Sequence, residues 1–334
     1  MSAQTAAPSF NLLVPAPAAL PGWLRRNRLL VWAGLLCLLL VGVSAAGLLL
    51  DPRLIGGAPA WAKPFKFSVS IAIYCLTLAW LLGYVQGHPR LVGAIAGGTA
   101  TGLVLELGVV LVQVVRGTTS HFNVSTPLDA ALWGSMGMLI IPVSLMCLLT
   151  GILLLFQRLP DAAFAWSLRL GVLLTVVGLS VGYLMTSHLS PSQQAARDAG
   201  QKPLTTGAHS VGVDDGGPGL PLLGWSTVAG DLRVGHFVGL HALQVLPLLA
   251  AALTAVAARA PRRLPELARL RLVRLAATGY LGLLLLLVWQ ALRGQPLTAP
   301  DPATLAALGA LLIAMAAGTA VVLRHRGAEQ PHQG

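Results

Sequence analysis

The chain has 334 residues, of which 55% are hydrophobic and 10% charged, and its mean hydropathy is +0.76. Water-soluble domains carry about 25% charged residues, so this chain lacks the polar surface to meet water on every side and belongs in a bilayer. Its formal charge of +11, from 22 Lys and Arg against 11 Asp and Glu, comes with no nucleic-acid-binding signature, and membrane proteins use such cations to set their orientation.

Residues 1–28 form a Pro- and Ala-rich segment, expected to be cytoplasmic, that ends in Arg25, Arg26 and Arg28. The uncharged run 29–50 follows, about 33 Å long as a helix and long enough to cross the hydrocarbon core. Ser44-Ala45-Ala46 would suit a signal peptidase, but apolar residues continue to Leu50, which favours an uncleaved helix. Six further apolar runs lie at 67–85, 91–115, 133–156, 165–186, 272–292 and 303–323. A less clean one, 234–258, holds His236, His241, Gln244 and Pro247. The expectation is an all-α polytopic integral membrane bundle of eight helices over 29–323, with both termini cytoplasmic and a short tail at 324–334. A plasma membrane of bacterial type fits the composition.

Orientation follows from Lys and Arg in alternate connections, 14 on the side of the termini against 8 on the other. The steepest cluster is Arg259, Arg262, Arg263, Arg269, Arg271 and Arg274, around a basic inner loop 259–271. It is a topology anchor in the first place and a site for anionic lipid head groups in the second. On the opposite side, residues 187–233 make a long Gly- and Pro-rich outer loop, either a lid or a floppy connection. Asp214 and Asp215 in it lack the ligand spacing of a calcium loop and are assigned to a turn. Cys37, Cys75 and Cys147 fall inside apolar runs with no CxxC pair and are expected to be small buried hydrophobes.

Polar groups inside spans are costly and mark candidate sites. Glu106 is the one acid well inside an apolar run, nine residues from Val115 and therefore about 14 Å below that helix end. Thr99, Gly102 and Gln113 share its helical stripe, so the stripe should face protein. A protonated, hydrogen-bonded structural role competes with a functional one. By the same depth arithmetic His241 and Gln244 reach the layer of Glu106, giving a candidate proton-relay or substrate set of Glu106, His241 and Gln244. His121, His188, His236 and His241 gather near the outer face and are candidate cofactor ligands, because haem b is gripped by two imidazoles from different helices. Gly235 and Gly239 would let another backbone approach, or leave room for a flat cofactor beside His236. Lys63, Lys66, Arg116, Asp129, Asp231 and Arg233 surround the outer mouth, where the cations could attract an anionic or quinone-like oxygen.

There is no Walker A loop, Rossmann glycine fingerprint, GxSxG or HExxH, which argues against ATP-driven pumping and hydrolase chemistry. No sustained internal repeat supports an inverted-repeat transporter. Three functions stay open. The first is a redox or ligand-sensing protein binding haem, a metal ion or a quinone-like ligand in the outer half of the bilayer. The second is a proton-coupled small-solute transporter or channel using Glu106 and His241. The third is a non-catalytic assembly partner for another membrane complex.

Overall fold

The computed structural model describes residues 20–259 and 264–325. Arg262, Arg263, Arg326 and His332, and most of the N-terminal segment, lie outside them. A short helix α1 (Leu20–Arg26) leads into α2 (Arg28–Leu50), α3 (Ala62–Leu82), α4 (Pro89–Val115), α5 (Pro127–Leu155) and α6 (Ala162–Ser187). After a surface helix α7 (Pro191–Asp198) come α8 (Leu232–Leu240), α9 (Ala242–Arg259), α10 (Glu266–Leu292) and α11 (Pro302–His325). Eight of the described helices are long and apolar enough to cross a membrane. The chain is an all-α polytopic membrane bundle, as its composition requires.

Several helices start earlier than their apolar runs, because their first turns are set by caps and not by hydrophobicity. Pro89, Pro127, Pro191 and Pro302 open α4, α5, α7 and α11, where a missing N–H loses no intrahelical bond. The Thr126 hydroxyl accepts from Asp129 N at 3.1 Å, and Asp161 accepts from Phe164 N at 2.7 Å. Asp231 caps α8 by accepting from Arg233 N at 3.0 Å. Each satisfies an otherwise orphaned donor of a first turn.

The span expected over 234–258 is two helices broken at His241. Pro247, inside α9, has no N–H to give to the turn below it. Side chains re-satisfy carbonyls at the break: His241 Nδ1 donates to Phe237 O at 2.7 Å, the Tyr280 hydroxyl to Val238 O, and Thr175 Oγ1 to Leu240 O at 3.4 Å. A break at membrane depth is tolerated when neighbours supply such partners.

The largest apolar core lies among α2 to α6, with Leu30, Leu78, Ile95, Leu107 and Leu168 all fully buried in it. α6 also packs on α8, α9 and α10, and α11 packs on α10. Where α6 crosses α8 the backbones nearly touch. A Cβ on Gly239 would stand 2.3 Å from Gly178 Cα, so no larger residue fits either position. Gly235 is likewise closed by Val288. The space beside His236 considered for a flat cofactor is therefore filled by helices α6 and α10.

The ends of α4, α6 and α10 and the starts of α3, α5, α8 and α11 share one end of the bundle, here the loop end. The connection 188–231 covers it and is ordered by specific bonds, not floppy. The Asp214 carboxylate accepts from Ser192 N at 3.1 Å and from the Ser192 and Ser190 hydroxyls at 2.7 and 2.5 Å. Strand β3 (Ser210–Val211) pairs antiparallel with β4 (Gly230–Asp231). The Gln193 amide donates to Thr205 Oγ1 and Gly207 O, both at 2.8 Å.

Candidate functional site

The centre of interest begins with the connection between α4 and α5. This connection folds back into the bundle: His121 Nε2 lies 4.0 Å from Glu106 Oε1, although Glu106 sits nine residues below Val115, about 14 Å down the helix. Two devices hold the returning backbone. Gly117 and Phe122 adopt positive φ of 74° and 63°, the second an uncommon conformation for a bulky residue. Polar partners then replace water: Val124 N donates to Leu204 O at 2.9 Å and Thr206 N to Phe122 O at 2.8 Å. The Asn123 side chain donates to Thr118 Oγ1 at 2.9 Å and Thr119 O at 3.2 Å. Asn123 is 3% exposed.

Glu106 is 6% exposed, and its Oε2 has no hydrogen-bond partner among the described residues. Above it the imidazole of His121 is boxed by aromatic rings. Phe67 of α3 meets it edge-on at 5.5 Å, and Trp133 of α5 lies at 5.4 Å. Ser120 Oγ is 3.2 Å from its Nδ1. Burial, with Lys63, His209 and His236 nearby, holds His121 well below the ordinary imidazole range, so the ring is neutral at rest.

The third member is Lys63, in the first turn of α3. It makes no hydrogen bond or ion pair among the described residues, and its ammonium stands 5.9 Å from the Phe67 ring centre. The other outer-mouth charges are engaged, the arginines by the two acids among them. Lys66 Nζ donates to Leu223 O at 2.6 Å. Arg233 bonds Asp231 at 2.5 Å and Gly224 O at 2.6 Å. Arg116 bonds Asp129 at 2.6 Å. Lys66 and Arg233 are anchors for the covering loop.

The expected partners of Glu106 are elsewhere. His241 is turned onto the Phe237 carbonyl and ring, with centroids 4.1 Å apart. The Gln244 amide donates to Thr77 Oγ1 of α3 at 3.2 Å. Depth along a helix says nothing of azimuth, and the helix that carries both side chains is interrupted at His241.

The four candidate ligand histidines are not brought into one ligand set, although His236 lies close enough to His121 and His241 for their charges to interact. His236 Nδ1 faces Gly178 O at 2.8 Å, His188 ends α6 with a buried Nε2 that lacks a partner among the described residues, and no hydrogen bond or ring contact joins any two of the four. Among the described residues no group of three or more His, Cys, Asp or Glu is arranged to hold a metal ion. Cys37, Cys75 and Cys147 are buried and free, as expected of apolar fillers.

Sequence reasoning missed His209 and Asp215. The His209 ring lies 6.4 Å from that of His121, near parallel at 30°, and its Nδ1 is 2.7 Å from Asp215 Oδ2. Both rings flank Phe122, at 6.2 Å for His121 and 4.8 Å for His209. The signal that could have found them is weak: a histidine and two acids in a Gly-rich loop.

At the other end the basic cluster is partly committed. Arg269 bonds Asp161 at 2.6 Å and Thr254 at 2.8 Å, and the Arg274 guanidinium lies 4.6 Å over the Trp166 ring. The fold and the buried polar centre define an integral membrane protein of the multi-pass α-helical class. The chain matches no protein family, curated protein or solved structure.

Proposed function

We propose that the protein binds a quinone-like ligand, one whose carbonyl oxygens accept hydrogen bonds, at the Glu106, His121 and Lys63 centre in the outer half of a plasma membrane. The loop end is then the outer face, in keeping with the excess of Lys and Arg toward the other end. The observation that carries this is the buried Glu106 carboxyl, whose Oε2 has no hydrogen-bond partner among the described residues and whose Oε1 stands 4.0 Å from His121. A buried polar atom without a partner is costly, and a carboxyl set beside a second titratable group and aromatic rings suits a ligand that bonds to it.

The surroundings suit the ligand class. A protonated Glu106 can donate to one carbonyl oxygen and the free Lys63 ammonium to another, while Phe67, Phe122 and Trp133 offer ring faces and edges to a flat head group. The resting protein holds His121 neutral, so it can accept the proton of Glu106 or return it. Calorimetric titration of the detergent-solubilised protein with a short-chain naphthoquinone tests the proposal. Saturable binding, weakened about tenfold or more in Lys63→Met through the lost charged donor, supports it. No binding by the folded wild type overturns it.

A second function is favoured by the helix break at His241. Broken helices at membrane depth line ion and solute paths in many transporters, and Glu106 with His121 would then couple solute to proton. A pH-dependent flux in proteoliposomes, lost in Glu106→Gln, would establish that function in place of the first. Lipid head groups remain proposed partners of the basic cluster, with Arg259 the better candidate than Arg269, which is already paired.

A further inference from the structure

Between the water at the loop end and Glu106 lies a short series of titratable side chains. The Asp215 side chain is the most open to water at 35%, those of His209 and His121 are alike at 19% and 17%, and Glu106 is the most enclosed at 8%. Asp215 accepts from His209 N at 3.0 Å and Ser210 N at 2.8 Å. Its bonds with the His209 backbone and ring, and with Ser210 N, hold its carboxyl well below the usual carboxylate range despite its burial. An ionised carboxylate only accepts, so the 2.7 Å contact makes His209 Nδ1 the donor and leaves Nε2 with its lone pair. The His209 ring then faces that of His121, and His121 Nε2 faces Glu106.

We infer that Asp215, His209, His121 and Glu106 form a proton route from the outer water to the buried carboxyl, with His209 as its entry residue. The inference rests on Glu106 being the proton-exchanging group of the proposed ligand site. A proton from water bonds to His209 Nε2, and the imidazolium is held by Asp215. The same proton leaves Nε2 through a bridging water to His121 Nδ1, where Ser120 Oγ stands 3.2 Å away. His121 then releases its Nε2 proton toward the Glu106 carboxylate. One proton is lost by the outer water and one gained by Glu106, with no change in electrons. The 4.0 Å gap to Glu106 exceeds a direct hydrogen bond, and a single water spans such a distance.

Every charged neighbour of the two histidines bears on this. His209 faces Asp215 within its own loop, Lys63 from α3, and Arg233 and His236 from α8; His121 faces Lys63, His209, His236 and Glu106. Lys63 and Arg233 oppose an imidazolium at His209 and Asp215 favours it, which makes the protonated histidines brief carriers and not resting states. Burial keeps both rings below the ordinary imidazole range.

The test is time-resolved infrared spectroscopy of the protein in lipid nanodiscs after photorelease of protons from a caged acid, with no ligand present. The carboxylic C=O band of Glu106, assigned by its loss in Glu106→Gln, is expected to rise in the wild type. The rise is expected to slow by about tenfold or more in His209→Phe, as loss of a general acid–base group would cause, while the aromatic packing on Phe122 is kept. His209→Gln, which keeps a polar side chain, is expected to be as slow, and Asp215→Asn intermediate. Rates within about twofold of wild type in both folded His209 variants overturn the route while leaving Glu106 as the exchanging group. The absence of any pH-responsive band that disappears in Glu106→Gln overturns both.

Discussion

α4 carries two polar side chains two turns apart on one buried stripe, Glu106 and Gln113, and the structure treats them in opposite ways. Gln113 donates to Asp129 at 2.9 Å and Thr119 O at 3.3 Å, and accepts from Arg116 at 2.5 Å. Asp129 in turn accepts from Arg116 and the Thr126 hydroxyl, both at 2.6 Å. Every strong group in that network has its partner. Glu106, seven residues deeper, has His121 at 4.0 Å and an Oε2 with none. Fully bonded networks rigidify a fold, whereas a partly satisfied one is a defect or a site. The first network fastens α4 to α5 and props open the returning loop; the second is what the loop delivers His121 to.

The contrast predicts that stability and function separate. The largest effect on stability should come from Asp129→Ala, which removes the acceptor shared by Arg116, Gln113 and Thr126; the apparent Tm in detergent is expected to fall by roughly 5 °C or more. Gln113→Leu should lose less, about 1–3 kcal/mol by denaturant titration, since a buried acceptor and donor are left unmade. A third effect is set by pH. His121 and His209 are held neutral in the fold, and in the unfolded chain they take up protons below an ordinary value of about 6.5. The unfolded state therefore binds more protons there, and their contribution, complete above that value, is lost as pH falls. Tm is expected to drop between about pH 7 and pH 5, and His121→Gln should flatten that drop. The smallest effect should be Glu106→Gln, within about 1 kcal/mol of wild type because no satisfied bond is broken. A Glu106→Gln loss as large as that of Asp129→Ala would remove the distinction between the two regions.

The bundle was legible in the sequence because the bilayer leaves few choices: about 20 apolar residues make a span, and such runs stand out in a chain with so few charges. The stripe of Thr99, Gly102, Glu106 and Gln113 was legible for the same reason, and all four are buried. The partner of Glu106 was not. Counting depth from helix ends assumes that connections stay outside, and the α4–α5 connection returns inward on a positive-φ Phe122 that nothing in its residue type announces. His209 and Asp215 reach the centre through pairings between distant loops, such as Thr206 N to Phe122 O. The outer charges were found by position, but their pairing with Leu223 O, Gly224 O and Asp231 depends on how the loop 188–231 folds over them.

The pH dependence of naphthoquinone binding, measured by calorimetry in wild type and Glu106→Gln, tests the central claim most directly. If the protonated Glu106 carboxyl donates to the ligand, wild-type affinity falls as pH rises through its titration, and the Glu106→Gln protein, whose amide donates at every pH, shows a clearly shallower fall, left to Lys63 alone. The same pH slope in both proteins would contradict the assignment of Glu106 as the group that meets the ligand.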